Sequence, residues 1–264
     1  MKEKYLITGS RGSIGSKLVD ALPDADIIRG DRLCEFVPKV DHVVDLAAYG
    51  NTSGHAGEIY EIYRANVLRP ISLLTAIRRN SPDCKSIVLT SSSSVLLEQQ
   101  THYSLSKKVL EALALKMADE FKLPIVIIRP ATVTGPGEDL RRLIPKLIDS
   151  CLNGTEMPFV AEPTHDYVDV RDVVDAILML SHRSPEVTGR VFNLSSNKST
   201  SNQEVLEIVE KLTGKKANLK MVGQMRAYDN KNWVVDNSEM LKLGWSLRYS
   251  LEDSVRNMIE NYGH

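Results

Sequence analysis

Three glycines spaced three apart, Gly9, Gly12 and Gly15, follow a short apolar run at residues 4–8 and lead into a helical pattern at 14–22. That order demands a strand, a tight turn and a helix, because glycines at such points permit a sharp reversal and close backbone approach. A helix that starts there presents unpaired amides and the positive end of its dipole to an anion. The segment Thr8-Gly9-Ser10-Arg11-Gly12-Ser13-Ile14-Gly15 is therefore read as a cradle for the pyrophosphate of a dinucleotide. Asp31 lies beyond a second apolar run, about 20 residues on, where an acid accepts hydrogen bonds from the adenosine ribose. This favours NAD. Arg11 and Arg32 offer planar forks suited to the 2′-phosphate of NADP, so NADP stays open behind NAD.

Short β-branched runs at 4–8, 25–29, 42–46, 86–90 and 125–129 alternate with helical patterns at 14–22, 58–80 and 104–121. Such alternation builds βα units around a parallel sheet whose strands are buried on both faces. After Arg129 the texture changes. Gly135-Pro136-Gly137 punctuates the chain before a helix expected at 140–152, Ser201 and Glu204 have capping-box spacing for a helix to Leu212, and 251–262 reads as a terminal amphipathic helix. The expected organisation is a dinucleotide-binding domain of residues 1–135 with a returning segment near 166–196, and a smaller substrate-binding cap of 136–165 and 197–264.

Composition narrows the partners. Lys plus Arg number 33 against 34 Asp plus Glu, so no net field draws the chain to nucleic acid or an anionic membrane. A small-molecule substrate is the expected partner. No apolar run reaches the ~20 residues that span a bilayer. Cys34, Cys84 and Cys151 are scattered and lack metal-ligand spacing, which fits reduced thiols in a cytoplasmic protein and no metal site.

Tyr103 and Lys107 are four residues apart, hence on one face of the third helical pattern. A free phenol titrates near ~10, and acid–base work at neutral pH requires its anion to be stabilised by roughly 4 kcal/mol. A fixed ammonium nearby has the right sign. Upstream, Thr90-Ser91-Ser92-Ser93-Ser94 ends a strand and places hydroxyls at the carboxyl edge of the sheet, where ligands of open α/β folds bind.

With these motifs in this order, the chain resembles the extended short-chain dehydrogenases/reductases, the family of nucleotide-sugar epimerases, dehydratases and reductases, over almost its whole length. The resemblance implies a Rossmann-type doubly wound α/β sheet with a smaller C-terminal substrate-binding cap. It implies that Leu46, Ala47 and Ala48 line the adenine and ribose, that Asn66 and Thr90 flank the cofactor with Tyr103 and Lys107, and that Ser92 is the catalytic hydroxyl. Pro130, Ala131 and Val133 resemble the segment touching the nicotinamide carboxamide. Asp166-Tyr167-Val168-Asp169 resembles the return to the main sheet, and Leu243-Gly244-Trp245 the family's ending. Ser92, Ser93, Thr132, His165, Arg226 and Asp229 fall where substrate contacts occur, with Arg226 meeting a diphosphate. Dimerisation through the 58–80 and 104–121 helices is implied likewise.

Departures narrow the chemistry. Between Asp31 and Val43 there is room for one short element, and the loop from Ser92 to Tyr103 is shortened. Ser93 and Ser94 stand where the 4,6-dehydratases carry Asp-Glu, and Ser94 also where 3,5-epimerising members carry a cysteine, so both chemistries are disfavoured. His165 replaces a phosphate-binding arginine. The leading reading is an NAD(P)-dependent 4-epimerase or reductase of a nucleotide-diphosphate sugar. A dehydrogenase of a non-nucleotide carbonyl or alcohol is the alternative, and a non-catalytic dinucleotide-binding regulator is the third.

Overall fold

The computed structural model describes residues 2–30, 37–50, 59–223 and 232–263. In chain order it contains β1 (Lys4–Thr8), α1 (Ser13–Asp20), β2 (Asp26–Arg29), β3 (His42–Asp45), α2 (Ile59–Tyr63), a π-helical turn (Arg64–Leu68), α3 (Arg69–Asn80), β4 (Ser86–Thr90), a 3-10 turn (Ser93–Leu96), α4 (His102–Phe121) and β5 (Ile125–Pro130). There follow β6 (Thr132–Thr134), α5 (Leu143–Asn153), β7 (Met157–Phe159), β8 (Thr164–His165), β9 (Tyr167–Asp169), α6 (Val170–Ser181), β10 (Val191–Leu194), β11 (Thr200–Ser201), α7 (Asn202–Thr213), β12 (Leu219–Met221), α8 (Ser238–Lys242) and α9 (Leu251–Glu260). No helix among the described residues is long and apolar enough to cross a membrane.

The chain divides into two compact units, residues 1–130 with 174–193, and residues 131–173 with 194–264. The first holds a six-stranded parallel sheet in the order β10-β5-β4-β3-β1-β2. From β1 the chain goes outward to β2 and then returns to pair β3 on the other side of β1, which makes the carboxyl ends of β1 and β3 the switch point where such sheets bind ligands. β3 and β4 are buried nearly throughout, as central parallel strands should be, but β2 at the edge is half-exposed to exposed along its length. Helices α3 and α4 cover one face, packing Leu73, Leu74, Ile77 and Ala114 on Val43, Ile87 and Ile127.

In the second unit α5, α7 and α9 share a core of Ile144, Leu147, Val205, Val209 and Val255 with Phe159 and Tyr167. The division falls nearer Pro130 than residue 135 and places 166–173 in the second unit. The cause is pairing of β6 with β9, Thr132 opposite Tyr167, together with the Asp166 carboxylate accepting from the backbone N–H groups of Ser196 (2.7 Å) and Val235 (3.1 Å).

Helix boundaries shift for local reasons. Thr101 and Ser104 form a capping box, so α4 begins at His102 and Tyr103 sits in its first turn. Pro145 lacks a donor and belongs in a first turn, so α5 begins at Leu143 instead of Leu140. The pattern at 58–80 is not one regular helix. Pro70 cannot donate to the preceding turn, and the backbone widens there, with the Arg69 N–H bonded to Arg64 O. Ser201 caps α7 as its spacing implies, and α9 ends at Glu260, short of Tyr262.

Candidate functional site

β1 ends at buried Thr8, and the chain turns at Gly9 with φ +64°. A Cβ at Gly9 would lie 2.8 Å from Ala47 N, and one at Gly15 would lie 2.1 Å from Gly9 O. The turn is therefore closed to any side chain at those two positions. Gly12 donates to Gly9 O at 3.0 Å and caps α1 with no side chain bonded to the helix start and no acid in the first turn. The amides following Gly12, at Ser13 and Ile14, are thus left for an anion. Arg11 is exposed beside them.

Asp45, 3% exposed at the end of β3, holds the facing wall. Its carboxylate accepts from the Thr8 hydroxyl, and Arg69 pairs with it at 2.8 Å while donating to Ala47 O at 2.7 Å. Thr8 Oγ1 in turn accepts from Ala47 N at 3.1 Å. This network fixes Leu46 and Ala47 as they leave the sheet against the glycine loop, with Ala48 exposed just beyond.

The Lys107 ammonium, 2% exposed, donates to Thr90 O at 2.9 Å and lies 6.0 Å from the centre of the Tyr103 ring. Burial pulls Lys107 down to about 8, against the attraction of Asp45 and Glu111 and with the repulsion of Arg69. It remains mainly charged at neutral pH. Asn66, in the π-helical turn, donates to Ser106 Oγ at 3.0 Å and exchanges bonds with the Tyr49 backbone, while Ser106 Oγ donates to Tyr103 O at 2.7 Å. That chain ties the first turn of α4 to the neighbouring helix. Glu111 grips Arg129 with bonds of 2.8 and 2.6 Å and locks α4 to β5.

Ser92 precedes the 3-10 turn, and its Oγ accepts from Ser94 N at 3.2 Å and Ser94 Oγ at 2.9 Å. Ser93 is buried next to it. The buried hydroxyls of Ser10, Thr90 and Ser91 make no hydrogen bond. Unsatisfied hydroxyls at the carboxyl edge, beside a buried ammonium and a loop that admits no side chain, fit a polar ligand of dinucleotide type.

Pro130 ends β5 in the first unit. Ala131 donates to Leu194 O at 2.8 Å, Thr132 and Val133 are half-buried in β6, and His165 in β8 meets the Tyr167 ring edge-on at 5.9 Å, all within the second unit. Asp31, Arg32, Cys34, Arg226 and Asp229 lie outside the described residues. Sequence reasoning missed Thr8, Asp45 and Arg69 as a unit, and the Glu111–Arg129 pair. Their one signal was an acid at a strand end and an arginine three residues after Asn66.

A family model described as the NAD dependent epimerase/dehydratase family matches residues 23–195. The match begins after the glycine loop, which stands on its own geometry. A UDP-glucose 4-epimerase from Lactobacillus helveticus is 27% identical, covering 96% of this chain and 94% of that enzyme. An Arabidopsis thaliana trifunctional UDP-glucose 4,6-dehydratase/3,5-epimerase/reductase is 25% identical over 91% of this chain, which spans 38% of that protein's length. Among solved structures, MoeE5 in complex with UDP-glucose and NAD superposes with a TM-score of 0.87 at 26% identity, covering 97% of each chain. With a family match over more than half its length, the chain belongs to the NAD dependent epimerase/dehydratase family.

Proposed function

We propose that the chain is an NAD-dependent 4-epimerase of a nucleotide-diphosphate sugar, with UDP-hexoses as first candidates. The observation that carries this reading is the buried Lys107 ammonium, held on Thr90 O one helical turn from Tyr103. The likeness to MoeE5 with UDP-glucose and NAD, and to the Lactobacillus helveticus enzyme, supports the substrate class.

The glycine loop and the start of α1 would hold the pyrophosphate of NAD, with Leu46, Ala47 and Ala48 toward the adenosine; Asp31, outside the described residues, is the sequence's candidate for the ribose. Bound NAD supplies a hydride acceptor that can return the hydride. Tyr103 takes the proton of the substrate hydroxyl and gives it back, and the Lys107 charge lowers the cost of the tyrosinate between those events. Ser92 donates its hydroxyl proton to the reacting oxygen while its oxygen goes on accepting from Ser94 N and Ser94 Oγ. Asn66 and Ser106 hold the Tyr103 turn in place, which limits the freedom lost at each turnover. Ser93 and Ser94 are neutral hydroxyls and supply no acid–base pair for eliminating water, which favours epimerisation over 4,6-dehydration.

The test is to denature the purified protein, weigh the small molecules released by mass spectrometry, and incubate fresh protein with UDP-glucose and UDP-galactose. Released NAD and interconversion without added cofactor support the epimerase. An empty protein that consumes reduced cofactor with a 4-keto sugar indicates a reductase, and no change in UDP-, GDP- or dTDP-sugars contradicts the nucleotide-sugar reading.

A further inference from the structure

The opposite edge of the sheet, where its strands begin, gathers a second set of donors. Glu3 immediately precedes β1, His42 opens β3 and His182 follows α6. Their ligand atoms all lie within 4.8 Å of one another. Glu3 Oε1 is 3.3 Å from His42 Nε2, and Glu3 Oε2 is 3.3 Å from His182 Nε2. Ligands on a tetrahedral ion with bonds of ~2.0–2.1 Å are separated by about 3.3 Å.

The outer nitrogens explain why the inner ones are available. His182 Nδ1 lies 2.8 Å from Leu178 O, which can only accept, so Nδ1 carries a proton; in the imidazolium Nε2 donates to Glu3 Oε2 at 3.3 Å, and in the neutral ring it presents a lone pair. His42 Nδ1 lies 2.8 Å from Ser86 Oγ, and donation there leaves its Nε2 in the same state. An oxygen acceptor on the far nitrogen is the arrangement that holds metal-ligating histidines in place. His42 is 2% exposed, and its Nε2, aimed at Glu3, makes no hydrogen bond.

With both rings neutral, two lone pairs and a carboxylate converging in this way are matched by a cation among them. Lys85 meets the need in part, 3.4 Å from Glu3 Oε1, but it also pairs with Asp41 at 3.1 Å and its side chain is 54% exposed, free to swing aside. The Tyr5 hydroxyl lies 3.3 Å from His182 Nε2 and shares that lone pair. A recess of about 660 Å³ lined by Lys2, Glu3, Tyr5, Leu22, Asp24 and His182 gives an ion a path and leaves room for water as a fourth ligand.

We propose that Glu3, His42 and His182 form a binding site for a divalent transition metal, with Zn²⁺ as the ion their two imidazoles and one carboxylate suit best. The ion joins the segment before β1, the start of β3 and the end of α6, so it stabilises the folded unit from the edge opposite the glycine loop. Sequence spacing gives no sign of it, because the three ligands come from distant parts of the chain.

The experiment uses tag-free protein stripped with chelator and dialysed, titrated with ZnCl₂ by calorimetry and with Co²⁺ by visible absorption. Wild type is compared with His182→Ala and Glu3→Gln. His182 is half-exposed at a helix end, so its variant keeps the fold, which circular dichroism checks. The expected result is one equivalent of Zn²⁺ with Kd below about 1 mM, a tetrahedral Co²⁺ spectrum, and affinity weakened at least about tenfold in each variant. Absence of saturable binding in that range, or equal affinity in wild type and both folded variants, overturns the site.

Discussion

Replacing Lys107 with methionine keeps most of the side-chain length and removes the charge buried beneath Tyr103. Burial pulls the Lys107 ammonium from its ordinary 10.5 down to about 8. At about 1.36 kcal/mol per pKa unit, that gap is roughly 3 kcal/mol of unfavourable burial carried by the folded, charged lysine. Below about pH 8 both folded and unfolded chains hold the proton and the folded state bears the whole cost. Between about 8 and 10.5 the unfolded chain still binds the proton while the folded chain has released it, so stability rises with pH. From pH 7 to pH 10 this group alone raises the stability of the ligand-free protein by roughly 2–3 kcal/mol. Methionine removes that rise. At pH 7 it gains the burial cost but strands Thr90 O, worth about 1–3 kcal/mol, so the net change there is small. Urea unfolding at pH 7, 8.5 and 10 reads the difference. Circular dichroism is the probe, because Trp233 and Trp245 both belong to the second unit and fluorescence misses the first. Equal pH slopes in wild type and Lys107→Met refute the reasoning.

Gly15→Ala places a Cβ 2.1 Å from Gly9 O and 2.7 Å from Ser10 Cα, so the loop must open. At about 1–3 kcal/mol for such overpacking, NAD affinity falls by about tenfold or more in calorimetry, and unchanged binding contradicts the cradle. Glu111→Ala leaves the Arg129 guanidinium, 23% exposed, without its carboxylate. A loss of about 3 kcal/mol in urea unfolding is expected, at the lower end for a broken buried pair because Arg129 keeps some water, and a loss under about 1 kcal/mol contradicts it.

Features carried by a few neighbouring residues were legible in the sequence. The glycine loop follows β1 and opens α1, the alternating runs become a parallel sheet, and Tyr103 and Lys107 share one face of α4. What escaped depends on partners far apart in the chain. Arg69 and Asp45 are joined only when β3 and α3 pack, and Glu3, His42 and His182 meet only at the sheet edge. The widening at Arg64–Leu68 follows from Pro70 inside a pattern whose apolar spacing continues undisturbed. The unit boundary near Pro130 follows from pairing of β6 with β9, two strands of three residues each that carry little period of their own. The exposure of β2 agrees with its sequence, in which Asp26 and Arg29 leave only Ile27 and Ile28 apolar, and departs from the expectation of a strand buried on both faces.

The most direct measurement is single-turnover formation of reduced nicotinamide when UDP-glucose meets the NAD-loaded protein, in wild type and Tyr103→Phe. On the proposed chemistry, removing the phenolic oxygen deletes the proton carrier, while the ring keeps its place on α4 and the glycine loop is untouched. A rate lower by at least about 10²-fold is predicted, with NAD affinity and circular dichroism unchanged. A Tyr103→Phe rate close to wild type would contradict the role of Tyr103 and the chemistry built on Lys107.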